Sequence, residues 1–209
     1  MNHSREVFGS QRGASLLIAL ITLVLLSALG LSLSLVMDTE VRIASNFAAS
    51  REALYTADGA LEIAAQELLS VSDWNDVLDG STRSVFVDGA PSGSRQLRDG
   101  RSIDLADVTT RANGEPRPWG ANNPRWQLFA YGPLGGTYVI VWAGDDPAET
   151  DGDPGRDDVP GNPGAGIVAL RAEDFGADRA HTVLEATARR STAASGTTTL
   201  EMLSWQHIR

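Results

Sequence analysis

The chain has 209 residues and no cysteine, so its stability outside the cytoplasm would not depend on disulfides. All 17 basic residues are arginine, and the formal net charge is −10. This balance argues against a nucleic-acid-binding surface, because contacts to phosphate groups require basic patches.

The residues Ala14–Met37 form a stretch of 24 residues without a charge. As a helix it would measure about 36 Å, enough to cross a hydrocarbon layer of ~30 Å. A cleavable secretory signal has an apolar region of only ~7–15 residues followed by a small-residue cleavage site. The stretch therefore predicts a transmembrane helix, and its short N-terminus, with Arg5 and Arg12, is expected in the cytoplasm.

The helical pattern continues beyond the uncharged stretch. No proline occurs between Ala14 and Ser70, and helix-favouring residues dominate the later part. We predict one helix over residues 14–70, roughly 85 Å long, with a transmembrane half at 14–37 and an amphipathic half at 38–70. The apolar stripe of the second half consists of Ile43, Phe47, Leu54, Leu61, Ala65 and Leu68.

The short basic leader ending in Gly13, followed by a long apolar helix, resembles the class III signal of type IV pilins and type II secretion pseudopilins. The resemblance implies that a membrane-embedded prepilin peptidase cuts between Gly13 and Ala14, removes residues 1–13 and methylates Ala14. Glycine has no Cβ, which suits an extended peptide in a protease cleft. The subunit would remain a single-pass inner-membrane protein with a periplasmic head until assembly, and would then lie at the pilus tip on the cell surface.

One position departs from the pattern of major pilins. These carry a glutamate at the fifth position after the cut, and this chain has Ile18 there. A carboxylate in the bilayer is costly unless it pairs with a charge such as a neighbour's terminal amine. Ile18 cannot form that pair. The lack of this glutamate is typical of PilX-type minor pilins and of the K-type minor pseudopilin, which this chain resembles at this position.

A second segment, "TEVRIASNFAASREALYTADGALE" at residues 39–62, resembles the PilX-type pattern. The resemblance implies subunit contacts for its polar and aromatic members. The alternative is that each polar residue simply solvates the helix outside the membrane, with Arg42 paired to Asp38 at i,i+4. The block residues in question are Thr39, Glu40, Arg42, Asn46, Tyr55, Asp58 and Glu62.

Residues 71–209 are predicted to form a β-rich head. Residues 88–124 are rich in Gly, Pro, Arg, Asp and Asn, and are interpreted as a long irregular excursion with one small strand or helix at most. The predicted fold class is α+β, a pilin-like lollipop whose helix packs on an antiparallel sheet along Phe47–Leu68. Strands are predicted at 83–87, 125–131, 137–143, 166–172, 181–190 and 197–205.

An acidic insert at 144–166 carries seven carboxylates between two predicted strands. Asp151, Asp153 and Asp157 are spaced loosely like calcium ligands, and Ca²⁺ takes six to eight oxygen ligands. However, no glutamate closes the loop and Pro154 interrupts it. The pattern favours a solvated loop without a metal.

Nothing in the sequence indicates catalysis or a cofactor. The three histidines are scattered, there is no cysteine nucleophile, and no phosphate-binding glycine motif follows a strand. The resemblance implies a minor pilin that primes fibre assembly at or near the tip and contributes to adhesion. Its partners would be other minor pilins, the major pilin and the prepilin peptidase. The alternatives are a K-type minor pseudopilin of a type II secretion system and an unprocessed membrane-anchored binding protein.

Overall fold

The computed structural model describes residues 11–149, 152–157 and 166–208, without the side chains of residues 11 and 12. The described chain is one long helix followed by a five-stranded antiparallel sheet, so the predicted α+β class is confirmed. It divides into two compact units, residues 1–45 and residues 46–209. The boundary falls inside helix α1, Gln11–Leu68.

Within the first unit, every described residue from Gly13 onward is helical and exposed. The α1 helix is long and apolar enough to cross a membrane, and its most apolar window is not covered by protein. Hydroxyl groups along this segment donate to carbonyl oxygens one turn earlier, for example Thr22 Oγ1 to Ile18 O at 2.8 Å and Ser27 Oγ to Leu23 O at 2.8 Å. Such local bonds satisfy polar side chains that would otherwise be costly in hydrocarbon.

Within the second unit, α1 packs on the sheet through small side chains. Apart from Leu61 and Leu68, its buried core residues are alanines, which allow the helix backbone to lie close to the strands. The predicted contact along Phe47–Leu68 begins too early, because Phe47 is 62% exposed and the first buried residue is Ala53. The prediction buried the Phe47 ring because the residue is hydrophobic. The helix lies so close to the strands, however, that small alanine side chains fill the contact. The buried alanines are Ala53, Ala57, Ala60, Ala64 and Ala65.

The sheet has the strand order β3-β4-β5-β6-β7, and every neighbouring pair is antiparallel. Each prediction between residues 125 and 205 corresponds to one of these strands, although all five strands end two or three residues later than predicted. The segment predicted as a strand at 83–87 forms only an isolated bridge, Val87 with Tyr131. The strands are β3 Gln127–Leu134, β4 Thr137–Asp145, β5 Ile167–Phe175, β6 His181–Thr192 and β7 Thr198–Ile208.

The two faces of the sheet carry different cores. Val139, Leu170 and Leu184 point to the α1 side. Ile140 and Trp142 point to the opposite side, where they pack under the excursion between residues 88 and 124. The excursion is more ordered than predicted, because it contains a hairpin and a helix. Its elements are β1 Ser94–Gln96, β2 Ser102–Asp104, α3 Leu105–Gly114 and a 3-10 helix at Gly120–Asn122, and the short helix α2 Asn75–Leu78 precedes them.

A buried ionic network crosses the sheet face opposite α1. The Arg171 side chain is 2% exposed and donates to Glu115 at 2.7 and 2.8 Å, to Glu173 at 2.8 Å and to Glu185 at 2.9 Å. Because all of these carboxylates share arginine donors, the charges are paired rather than isolated in the protein interior. Two further arginines complete the network, Arg111 on Glu173 at 2.9 Å and Arg117 on Glu185.

Candidate functional site

The predicted processing site lies at the start of α1. Gly13 and Ala14 are helical and exposed. A Cβ added to Gly13 would meet no atom within 4 Å, so no packing contact among the described residues requires glycine there. The predicted leader residues 1–10 lie outside the described residues. Ile18 is 64% exposed within the apolar stretch.

The first part of the segment at residues 39–62, with Thr39, Glu40 and Arg42, is exposed on α1. The predicted pairing of Arg42 with Asp38 is confirmed, with Nε donating to Oδ2 at 3.0 Å. Both side chains are more than 60% exposed, so the pair contributes only about 0.3–0.5 kcal/mol to helix stability. Thr39 Oγ1 donates to Leu35 O at 3.0 Å.

The later block residues belong to the second unit, where three of them lie together. Tyr55, Asp58 and Glu62 line one wall of a groove of about 350 Å³, and Met202 and Trp205 of β7 line the other. We call these five residues the α1–β7 groove. The indole Nε1 of Trp205 donates to Asp58 Oδ1 at 2.9 Å, and this bond ties the edge strand to the helix. Asn46, the remaining block residue of this unit, is exposed.

The groove is both apolar and acidic. Tyr55 is 66% exposed, Trp205 49% and Met202 38%, although each is a large side chain that proteins usually cover. Asp58 and Glu62 add two exposed carboxylates at the rim. An exposed apolar surface rimmed by charge is typical of a protein contact.

The two edges of the sheet differ. The β3 edge is covered by residues 84–88, since Ser84 N donates to Phe129 O at 3.0 Å and Tyr131 N donates to Phe86 O at 2.9 Å. In the described part of the chain, no strand pairs with the outer edge of β7. This strand has eleven residues and no proline, lysine or arginine that would discourage pairing. The groove therefore lies beside an open edge strand.

The acidic insert brings three carboxylates together. The side chains of Asp145, Glu149 and Asp157 are buried and place an oxygen each within 4.8 Å of one another. Asp157 Oδ1 also accepts from the backbone amides of Gly166 at 2.7 Å and Ile167 at 3.2 Å. These three residues could hold a hard cation. Of the three sequence candidates, Asp157 belongs to this cluster, Asp153 is exposed and Asp151 lies outside the described residues.

A buried carboxyl group lies between α1 and the sheet. Asp174 on β5 has no solvent exposure, and its Oδ2 accepts from Thr56 Oγ1 at 2.6 Å and from Thr137 Oγ1. Its Oδ1 has no hydrogen-bond partner among the described residues. Burial raises the pKa of Asp174 from 3.8 to about 6, against the opposing effect of the two threonine hydroxyls. The preceding residue, Glu173, behaves oppositely: burial would raise its pKa, but bonds from His181 and Arg171 lower the pKa to about 2.

We expect Asp174 to make the domain less stable as pH rises. The folded state binds the Asp174 proton more tightly than the unfolded state, so the free energy of unfolding should fall between about pH 4 and pH 6. An Asp174→Asn variant should lack this fall and be more stable at pH 7.5, by on the order of 2–3 kcal/mol for a shift of about two pKa units. Denaturant unfolding of the full chain in detergent, followed by tryptophan fluorescence at several pH values, measures both effects. If the free energy of unfolding varied with pH in the same way for both proteins, the raised pKa of Asp174 would be contradicted.

Sequence reasoning named the helix residues of the α1–β7 groove but missed its β7 wall. It also missed Asp174 and the Arg171 network, whose members are distant in the chain and meet only through the sheet register. The chain matches no protein-family model, no curated protein and no solved structure.

Proposed function

We propose that this chain is a minor pilin that primes type IV pilus assembly and lies at or near the fibre tip. It resembles PilX-type minor pilins, and the proposal includes removal of residues 1–13 by a prepilin peptidase and methylation of Ala14. The observation that carries the proposal is the exposed α1–β7 groove, where three block residues lie beside an open edge strand. In this proposal, neighbouring minor pilins contact the α1–β7 groove, and the major pilin follows below them in the fibre.

The uncharged first half of α1 supports a role in a helical bundle. It is apolar all round and uncovered, so it can lie in a bilayer before assembly and among other helices afterwards. The second half, by contrast, is anchored to the sheet from Ala53 onward. One helix therefore provides both an insertion segment and the scaffold of the head.

Ile18 supports a position at the start of the fibre. When fibres grow from the base, the carboxylate of each incoming subunit neutralises the terminal amine of the subunit already docked. A first subunit meets no earlier amine, so isoleucine leaves nothing unpaired there. A later subunit with Ile18 would leave a neighbour's charge unpaired in an apolar environment, at a cost of several kcal/mol.

Immunogold labelling of sheared fibres tests this position. We expect sparse labelling at fibre ends for the natural chain, and additional labelling along the shaft for an Ile18→Glu variant. Ala19→Glu is the matched control, because it places the carboxylate one residue away from the position that faces the amine. Uniform labelling along the shaft by the natural chain would refute the tip position.

Two alternatives make different predictions. A K-type pseudopilin carries a larger, mainly helical insert, whereas the α-helices described after α1 are of four and ten residues. An unprocessed anchored binding protein would keep Met1. Mass spectrometry of the mature N-terminus separates it from any pilin, since only a processed chain begins with methylated Ala14.

A further inference from the structure

The sheet face opposite α1 contains a cavity that neither the ionic network nor the proposed assembly role explains. Its volume is about 200 Å³, and it lies where the segment after α3 crosses β5, β6 and β7. We call it the Trp119 cavity, after the side chain at its mouth, which is 49% exposed. We propose that it binds a neutral sugar ring.

The walls of the Trp119 cavity are flat and apolar. Two tryptophans, Trp119 and Trp126, and two prolines, Pro124 and Pro147, are among the lining residues. A Cβ on Gly144 would lie 3.0 Å from Pro124 and 3.1 Å from the Trp126 ring, so glycine at this point of β4 allows both rings to rest against the strand. Flat aromatic and proline surfaces suit the C–H face of a pyranose ring, as they suit other amphipathic ligands.

The floor of the cavity is polar and can both donate and accept. Glu185 provides a carboxylate, and Gln206, its cross-strand neighbour, provides an amide. Thr187 and Ser204 form a hydroxyl pair with 2.8 Å between their oxygens. Sugar hydroxyls also donate and accept, so one ring can use each of these groups.

Two N–H groups of the lining residues have no partner among the described residues. They are Nε of Arg117 and Nε1 of Trp126. The Trp126 residue as a whole is 2% exposed. A buried donor without an acceptor costs about 1–3 kcal/mol, so these two lining side chains retain unused hydrogen-bonding capacity.

These side chains are held before any ligand arrives. The Arg117 guanidinium lies 5.1 Å from the Trp126 ring centroid and donates to Glu185, which also accepts from Arg171 at 2.9 Å. The backbone of Trp126 is fixed by Asn113, which accepts from its amide at 2.8 Å and donates to its carbonyl at 3.0 Å. A prearranged site loses less conformational entropy on binding.

Size and charge narrow the ligand class. The volume of 200 Å³ is below the ~300–1,000 Å³ of sites for drug-sized ligands, so it fits one ring rather than a buried oligosaccharide. The two charged groups that line the cavity, the Glu185 carboxylate and the Arg117 guanidinium, pair with each other, so the lining offers no unpaired charge to an ionic sugar. The ligand class that remains is a neutral hexose or N-acetylhexosamine at the end of a glycan.

Saturation-transfer NMR and calorimetry on the full chain test this proposal. The protein is held in an amine-oxide detergent, because maltoside detergents carry sugar headgroups that would compete. The probes are the methyl glycosides of mannose, galactose and glucose, and N-acetylglucosamine. We expect saturable binding of at least one probe in the millimolar range, and about a tenfold loss of affinity in Trp119→Ala.

Phe47→Ala is the matched control, because Phe47 is also an exposed aromatic side chain, at 62%, and it lies on α1 outside the lining of the cavity. It should leave sugar affinity unchanged. The absence of saturable binding by all four probes would overturn the proposal, as would equal losses in the two variants. Neither result bears on the pilin assignment, which rests on α1 and the groove.

Discussion

A Gly13→Leu chain is expected to retain residues 1–13 and to stay in the inner membrane. In the proposed processing reaction, the peptidase takes the residue before the scissile bond in an extended conformation, where a side chain would clash and glycine does not. The substitution should not disturb the fold, because a Cβ at residue 13 would meet no atom within 4 Å. Immunoblots and intact-mass spectrometry of membrane fractions would show the unshortened chain, and fibres would lack it.

Gly30→Leu is the control for this experiment. Gly30 is also a helical glycine in the apolar stretch, and its Cβ position is equally open. Replacing either glycine therefore changes helix propensity and hydrophobicity alike, but only Gly13 lies at the predicted cut. Normal shortening of the Gly13→Leu chain, or failure of both chains, would contradict the peptidase assignment.

The elements that the sequence predicted are those with a strong local pattern. The uncharged run and the absence of proline predicted α1 to within three residues at either end. Alternation in Thr182–Arg189 predicted β6, whose odd-numbered residues Val183 and Glu185 do lie on the face opposite Leu184. These signals are local, because the helix and strand periods appear within ten or so residues.

The sequence analysis allowed one small helix or strand within residues 88–124 but did not place helix α3, although a local signal existed. Its N-cap is Asp104, whose Oδ1 accepts from the backbone amides of Ala106 at 2.9 Å and Asp107 at 3.2 Å. Two threonines, an asparagine and a glycine within the helix weaken its intrinsic propensity. Burial of Leu105, Val108 and Ala112 against the sheet supplies the stability that propensity does not.

The α1–β7 groove could not be predicted in full, because its two walls come from parts of the chain that are far apart in sequence. The pattern at residues 39–62 singled out Tyr55, Asp58 and Glu62, but the β7 wall of the groove lies more than 130 residues away from them. Trp205 reaches Asp58 only because β7 pairs with β6 at the edge of the sheet, in a register that includes a bulge near Leu203. A one-residue slip of that strand would have turned Trp205 to the other face.

Replacing Arg171 with leucine is expected to destabilise the head by about 3–5 kcal/mol, the cost of removing one partner from a buried ionic pair. The substitution leaves Glu173 and Glu185, with side chains only 1% and 10% exposed, beside a hydrocarbon side chain. Arg111 would still bind one oxygen of Glu173, and Arg117 would still bind both oxygens of Glu185, so the domain should remain folded in the cold. Denaturant unfolding of the full chain in detergent measures the loss.

Arg42→Leu is the control, because it removes the same guanidinium from an exposed pair and should change the free energy of unfolding by no more than about 0.5 kcal/mol. Adding Glu173→Gln to Arg171→Leu tests the mechanism itself. If the loss comes from a carboxylate left with too few donors, the double variant should recover part of it, since a neutral amide is cheaper to bury than a charge. If the loss comes only from the missing packing of the arginine stem, the second substitution should recover nothing, and the electrostatic account of the network would be wrong.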